Sequence, residues 1–415
     1  MVPIGTMARA LGHRIGGFPP PPGARIATGK PCHSEALTVS VRKERPMETK
    51  FFAGVVALLF VALLGYRIAA ARNDMQARAE DRAQIENLMS IWSANVNLNS
   101  PTGTHGLIMV DKVGGYVRFF DPATDKELAS IDPSDGVGIK PHELAISPDH
   151  KTAYVSVYGD GVYGNNPHPG HTVAIFDLVS QKMVGGIDVS PYRAPHGLQI
   201  DPQGMLYVAC DLDRKVLILD PKKRSIEAAI DVEGTGHWIA LLPDASKLYV
   251  ANKNDKPFVS VIDVKWRKMI GKVPMPNGSQ GIVVSLDGKT VLVADYSEPY
   301  LHVISTATDM EVDKVKVKGV EKGLYKAFYT PDGKRLLTCL TDGQINIFSS
   351  ADLHAPQKVM KSAGTALMGF AFAPDGKTAL VGNHGEGTVS RIDLETATVI
   401  NTFPAGKGVE TLAYY

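Results

Sequence analysis

Seven times between residues 105 and 415 the chain repeats one short pattern, and its period constrains the fold more than any other feature. An alternating strand ends in Asp or Ser and runs into a polar turn. It reads Val117-Arg118-Phe119-Phe120-Asp121, Val173-Ala174-Ile175-Phe176-Asp177, Val216-Leu217-Ile218-Leu219-Asp220 and Val259-Ser260-Val261-Ile262-Asp263; further copies end at Ser305, Ser349 and Asp393. The spacings are 56, 43, 43, 42, 44 and 44 residues. A second apolar strand runs into a Pro-Asp-type turn, as in Leu144-Ala145-Ile146-Ser147-Pro148-Asp149, with later turns at Gln203, Asp244, Asp287, Asp332 and Asp375. A β-branched strand such as Tyr249-Val250-Ala251-Asn252 follows each turn.

Four short strands in about 43 residues is the size of a β-propeller blade. The chain is therefore expected to be all-β, a seven-bladed β-propeller. A solenoid is the alternative, and the ends of the repeat favour a ring. The first copy, residues 105–133, lacks an inner strand, and Gly408-Val409-Glu410-Thr411-Leu412-Ala413-Tyr414-Tyr415 is an inner strand without a blade. Joining them closes the sheet and leaves no open edge. Composition agrees: 40 Gly and 27 Pro make a turn-rich chain, and 44% hydrophobic residues suffice for a core. A formal charge of +1 excludes a bulk basic surface for nucleic acid.

The pattern resembles YVTN-type seven-bladed propellers of the lactonase-like superfamily. The resemblance is carried by Leu248-Tyr249-Val250-Ala251-Asn252, Val259-Ser260-Val261-Ile262-Asp263 and Phe372-Ala373-Pro374-Asp375-Gly376-Lys377-Thr378, and it covers about residues 105–415. It implies the fold. It leaves function open, because such propellers include hydrolases, electron-transfer subunits and plain binding proteins.

Residues 1–46 have a Pro19-Pro20-Pro21-Pro22 run and no apolar periodicity, so they read as disordered or as an over-long start before Met47. Residues 47–71 place a charged start before the apolar run Phe51 to Tyr66 and end in Ala69-Ala70-Ala71. This fits a cleaved secretory signal or a short uncleaved membrane anchor. Both readings export the remainder, to the periplasm or beyond. Within 72–99, Ile85, Leu88, Met89 and Trp92 make one apolar helical stripe, and residues 72–93 are a candidate protein-docking helix.

Counting back seven residues from each Pro-Asp-type turn gives His142, His196, His237, Gln280, Tyr325 and Met368, with Glu410 in the same register of the closing strand. In a propeller these seven crowd one mouth of the central channel. Three imidazoles from consecutive blades, His142, His196 and His237, would leave open coordination positions on a Zn, Cu or Fe ion. Such a metal polarises a carbonyl or acidifies water, with Glu143 or Glu410 as base. The same histidines would serve equally well in hydrogen-bonding backbone at the rim.

The spacing of 56 marks an insertion in the second blade, Tyr158 to His171, on the same face. Tyr158, His168 and His171 from it, with Gln280, Tyr325 and Asn383, are the expected small-molecule contacts. Strand-end acids and amides such as Asp111, Asn252 and Asp295 fit either a cation site or turn caps. No Cys-x-x-Cys-His is present, which excludes covalent haem c, and Gly-x-Ser-x-Gly and phosphate-loop motifs are also missing. Cys210 and Cys339 fall on nearly opposite blades and read as core residues. The expected function is binding of a small molecule or metal at the histidine-lined mouth, with metal-assisted hydrolysis of a lactone or ester as the enzymatic form. A scaffold propeller and the propeller subunit of a periplasmic dehydrogenase are the alternatives.

Overall fold

The computed structural model describes residues 105–415, apart from 135–138, 164, 254–256, 318–319 and 321–323. The expected disordered start, signal or anchor, and helix all lie outside the described residues. Among the described residues no helix is long and apolar enough to cross a membrane.

The repeated aspartates make the turns. Asp121 Oδ1 accepts the backbone N–H of Ala123 and Thr124, and Asp220 and Asp393 do the same two and three residues on. At the other recurrent turn Asp149, Asp287 and Asp332 each accept a backbone N–H two residues on and a hydroxyl two residues back. These are side-chain turns of the Asx kind, which is why Asp recurs there. Between them, alternating apolar residues form strands.

The strands build seven four-stranded antiparallel sheets. Blade 1 combines the two ends of the repeat, in the order Val409–Tyr414, Leu107–Asp111, Tyr116–Phe120 and Glu127–Ile131. The inner strands of blades 2 to 7 are Lys140–Ile146, Pro195–Ile200, Gly236–Leu241, Ser279–Val284, Lys326–Tyr329 and Leu367–Phe372. The apolar core divides into seven packets, one between each pair of neighbouring blades. Cys210 and Cys339 are free and fully buried within two of these packets, and burial raises both thiols.

Closure is both apolar and polar. Ala413 and Tyr415 enter the packet between blades 1 and 2, and Val409, Leu412 and Tyr414 enter the packet between blades 7 and 1. Asp111, fully buried, clasps the join. Its Oδ1 accepts the backbone N–H groups of Gly114, Lys407 and Gly408 at 2.9–3.0 Å, and its Oδ2 accepts from Arg118 Nε and Nη2. Blade 7 is tied to blade 1 a second time through Arg391, which meets Asp125 and the Pro122 carbonyl.

Asp111→Ala leaves Arg118 and three backbone donors without their acceptor, so it is expected to lower stability by about 3–5 kcal/mol in urea unfolding. Removing Val409–Tyr415 strips five buried apolar side chains, the larger of them worth roughly 1.5–3 kcal/mol each. That approaches or exceeds the whole stability of a typical domain, and loss of the cooperative transition is expected.

Candidate functional site

The first residues of the inner strands reach the channel through a shared irregularity. In blades 2, 3, 4, 5 and 7 the register with the second strand shifts across two residues: His142-Glu143, His196-Gly197, His237-Trp238, Gln280-Gly281 and Met368-Gly369. The closing strand shifts at Glu410. A bulge frees its residues from the ladder and re-aims their side chains. One counted register is thus converted into two stacked layers.

In the upper layer the three imidazoles form a column. Ring centroids are 3.9 Å apart from His142 to His196 and 3.8 Å from His196 to His237, with tilts of 47° and 37°. The rings therefore lean on one another rather than converging on one point, as a three-imidazole metal site would require. The donor atoms gathered within 4.8 Å of one another belong to His142, Glu143 and Glu410. All three histidines are at least 97% buried. Tyr158 meets His142 and His196 edge-on at 5.1 and 5.3 Å, and Tyr163 meets His237 at 5.2 Å. Tyr158 and Tyr163 of the blade 2 insertion thus pack against the column.

The column lies among cations. Lys112 Nζ reaches His142 Nε2 at 2.5 Å and stands 3.9 Å from Glu410 Oε2. Lys253 lies over the rings of Tyr163 and Tyr296, 4.7 and 5.8 Å from their centroids. Among the described residues it forms no ion pair. Burial, reinforced by Lys112, pushes Lys253 down to about 8. His384 adds a contact to Glu410 Oε2 at 3.3 Å. On the acidic side, Tyr158 donates to Asp211 Oδ2 at 2.7 Å, and burial pushes Asp211 up to about 7.

The lower layer is a polar belt across the channel. Glu143 from blade 2 accepts from Trp238 Nε1 at 2.6 Å, from Lys326 Nζ at 2.9 Å and from Thr411 Oγ1 at 2.8 Å. Burial alone would raise this carboxyl, but Lys326, with His196 and the hydrogen bonds of Lys326 and Trp238, holds it below the usual range. A carboxylate stabilised by three donors is a poor base, so the expectation that Glu143 accepts a catalytic proton does not fit this geometry. Below the belt lies a cavity of about 200 Å³ with Leu144, Leu198, Ile239, Phe328 and Phe370 among its walls.

Other expected contacts take different positions. His168 is on the surface, paired with Asp160 at 2.6 Å, and His171 hydrogen-bonds the Tyr192 carbonyl at 2.9 Å. Asn383 is fully buried, and its amide ties Thr388, Ser390 and Ser362 within blade 7. Asp111, Asn252 and Asp295 are likewise turn and strand ties, which explains their recurrence. Gln280 is buried at the mouth, with Oε1 unpartnered. Tyr325 is half-buried; burial, then Glu410, raises its hydroxyl. The residues missed by the first count, Lys112 and Lys253, occupy the positions just after Asp111 and Asn252, as His384 does after Asn383. Trp238, Lys326 and Thr411 occupy the positions just after His237, Tyr325 and Glu410. Extending each register by one residue would have found them.

No family model matches the chain, and no curated protein matches it. Among solved structures it is similar to a chain of hydrazine synthase from Kuenenia stuttgartiensis, with a TM-score of 0.55 and 20% identity over 67% of this chain and 90% of that one. At that identity the likeness concerns the propeller fold.

Two measurements follow from these couplings. Burial first, then neighbouring charge (Lys112 at His142, the next imidazole at His196 and His237), holds all three imidazoles neutral, well below 6.5. The unfolded chain therefore binds more protons below about pH 6.5, and stability is lost as pH falls from there. Urea midpoints are expected to drop between pH 7.5 and 5.5, and less steeply in His237→Phe. Separately, Glu143→Gln and Lys326→Met are each expected to destabilise by about 3–5 kcal/mol. The double variant should recover part of that loss, giving a coupling of about 0.5–3 kcal/mol in a mutant cycle.

Proposed function

We propose that the chain is an exported propeller that binds a small polar molecule or a metal ion at its histidine-lined channel mouth. One observation carries this reading. His196 Nδ1 donates to the His237 carbonyl at 3.1 Å, so in the neutral ring Nε2 holds the lone pair. That atom is buried and has no hydrogen-bond partner. Leaving such an acceptor unsatisfied costs about 1–3 kcal/mol, which supports a ligand bearing a proton donor, or a metal, at this position. His142 Nδ1, His237 Nδ1 and Gln280 Oε1 are unpartnered around the same mouth.

The metal form of the reading draws on His142, Glu143 and Glu410. His142 Nδ1 stands 3.8 Å from Glu143 Oε1 and 3.9 Å from Glu410 Oε1, and Glu410 Oε2 accepts no hydrogen bond. One imidazole and two carboxylates suit Zn, Cu or Fe. With Lys112 donating to Nε2, His142 carries its proton on Nδ1 and would give that proton up on holding a metal there. When bound, the ion would supply Lewis-acid polarisation of a carbonyl and an acidified water. Hydrolysis of a lactone or ester is the activity this supports, with His196 Nε2 accepting a hydrogen bond from the substrate. Membership of the YVTN, lactonase-like propellers rests on the repeat residues. Periplasmic location rests on the pattern of residues 47–71. Docking of a protein partner through residues 72–93, the scaffold alternative, rests on their apolar stripe.

After Zn²⁺ loading and desalting, elemental analysis is expected to return about one ion per chain, falling well below one in Glu410→Gln. Turnover of simple esters or lactones should follow the metal and be lost in His196→Gln. Absence of stoichiometric uptake would remove the metal form and leave small-molecule binding.

A further inference from the structure

The proposed ligand site at the mouth carries an uneven charge, and this narrows what it takes. Lys112 flanks the imidazole column at His142, and Lys253 flanks it at the other end, above the Tyr163 ring that covers His237. Of the acids facing this space, Glu143 is neutralised by Lys326. Glu410 is shared between Lys112 at 3.9 Å and His384 at 3.3 Å. Asp211 is bound by the Tyr158 hydroxyl and set back by burial. Between the lysines the column presents His196, whose Nδ1 donates to the His237 carbonyl and whose Nε2 has no partner among the described residues. Two largely buried ammonium groups, one of them without a carboxylate partner among the described residues, are held apart over a polar floor.

Resting on that reading of the mouth as a ligand site, we infer that its ligand is a small oxyanion with a hydroxyl group, a hydroxycarboxylate or a hydrogen phosphate. Its negative oxygens meet Lys112 and Lys253, and its O–H donates to His196 Nε2. Charge-assisted contacts of this kind are about twice as strong as neutral ones. The unpartnered lone pair of His196 distinguishes a hydroxylated anion from a plain one, because a bare carboxylate would set lone pair against lone pair. The tyrosines of the blade 2 insertion shield the ammonium groups from water, which strengthens both contacts.

The test uses the purified propeller, chelator-treated, at constant ionic strength in chloride. Four probes are titrated: glycolate, its neutral isostere glycolamide, acetate and inorganic phosphate. Binding is read by the imidazole ¹⁵N shifts of His142, His196 and His237 and by the shift in melting temperature. Glycolate or phosphate is expected to bind saturably at one site per chain, and glycolamide at least about tenfold more weakly, a difference of about 1.4 kcal/mol. Acetate should bind less tightly than glycolate. Lys253→Met should abolish the preference for glycolate over glycolamide, and Lys253→Arg should retain it. Glycolate binding without phosphate, or the reverse, identifies the carboxyl or phosphoryl class. Acetate binding as tightly as glycolate would overturn the His196 contact. Equal binding of glycolate and glycolamide, or an unchanged preference in Lys253→Met, would overturn the anion inference while leaving the mouth as a ligand site. If none of the four probes shifts the imidazoles, the anion inference falls, and the metal form of the mouth stands or falls separately on zinc uptake.

Discussion

The join between Val409–Tyr414 and Leu107–Asp111 is the constraint on which the remainder depends. It brings the end of the repeat into one sheet with its beginning, and the Asp111 carboxylate links Gly114 and Arg118 on one side to Lys407 and Gly408 on the other. The consequence extends beyond stability. Glu410 stands beside His142, and Thr411 reaches Glu143, only because that last strand docks between blades 7 and 2. A ring opened at this join would lose one wall of the mouth and one donor of the belt beneath it.

Inside the ring the two layers divide the labour. The belt of Glu143, Trp238, Lys326 and Thr411 links blades 1, 2, 4 and 6 across the channel and satisfies a buried charge from several sides. Buried ion pairs tolerate loss of one partner poorly, so this layer behaves as a rigid floor. The layer above it retains unpartnered polar atoms on His142, His196, His237, Gln280 and Glu410. A fully satisfied floor beneath an incompletely satisfied mouth is the arrangement expected of a preorganised binding site.

The stacked imidazoles also show how position along the chain can mislead about chemistry. Equivalent positions in consecutive blades suggested ligands converging on one ion. Adjacent blades are related by a rotation about the channel, so equivalent side chains line up around its wall. At this register His142, His196 and His237 stack ring on ring. The carboxylate gathered beside His142 came from elsewhere in the same register, as Glu410.

Much was legible before any coordinates. The spacing of Asp121, Asp177, Asp220 and their counterparts specified blades, because a side-chain turn and a two-residue alternation are local properties. The count to His142, His196, His237, Gln280 and Glu410 found the mouth, and the 56-residue spacing found the insertion whose Tyr158 and Tyr163 pack there, because a repeating architecture turns sequence register into spatial register. What the sequence did not carry was the bulge at each of those positions, which turns the following residue into the channel as well. Nor did it carry the pairings that result: Glu143 with Lys326, Lys112 with His142, and Lys253 without an acid among the described residues. These depend on distances across the ring between residues up to 298 positions apart (Lys112 and Glu410). Periodicity determined which residues share a face; only closure of the ring decided which of them touch, and therefore which charges are paired within it.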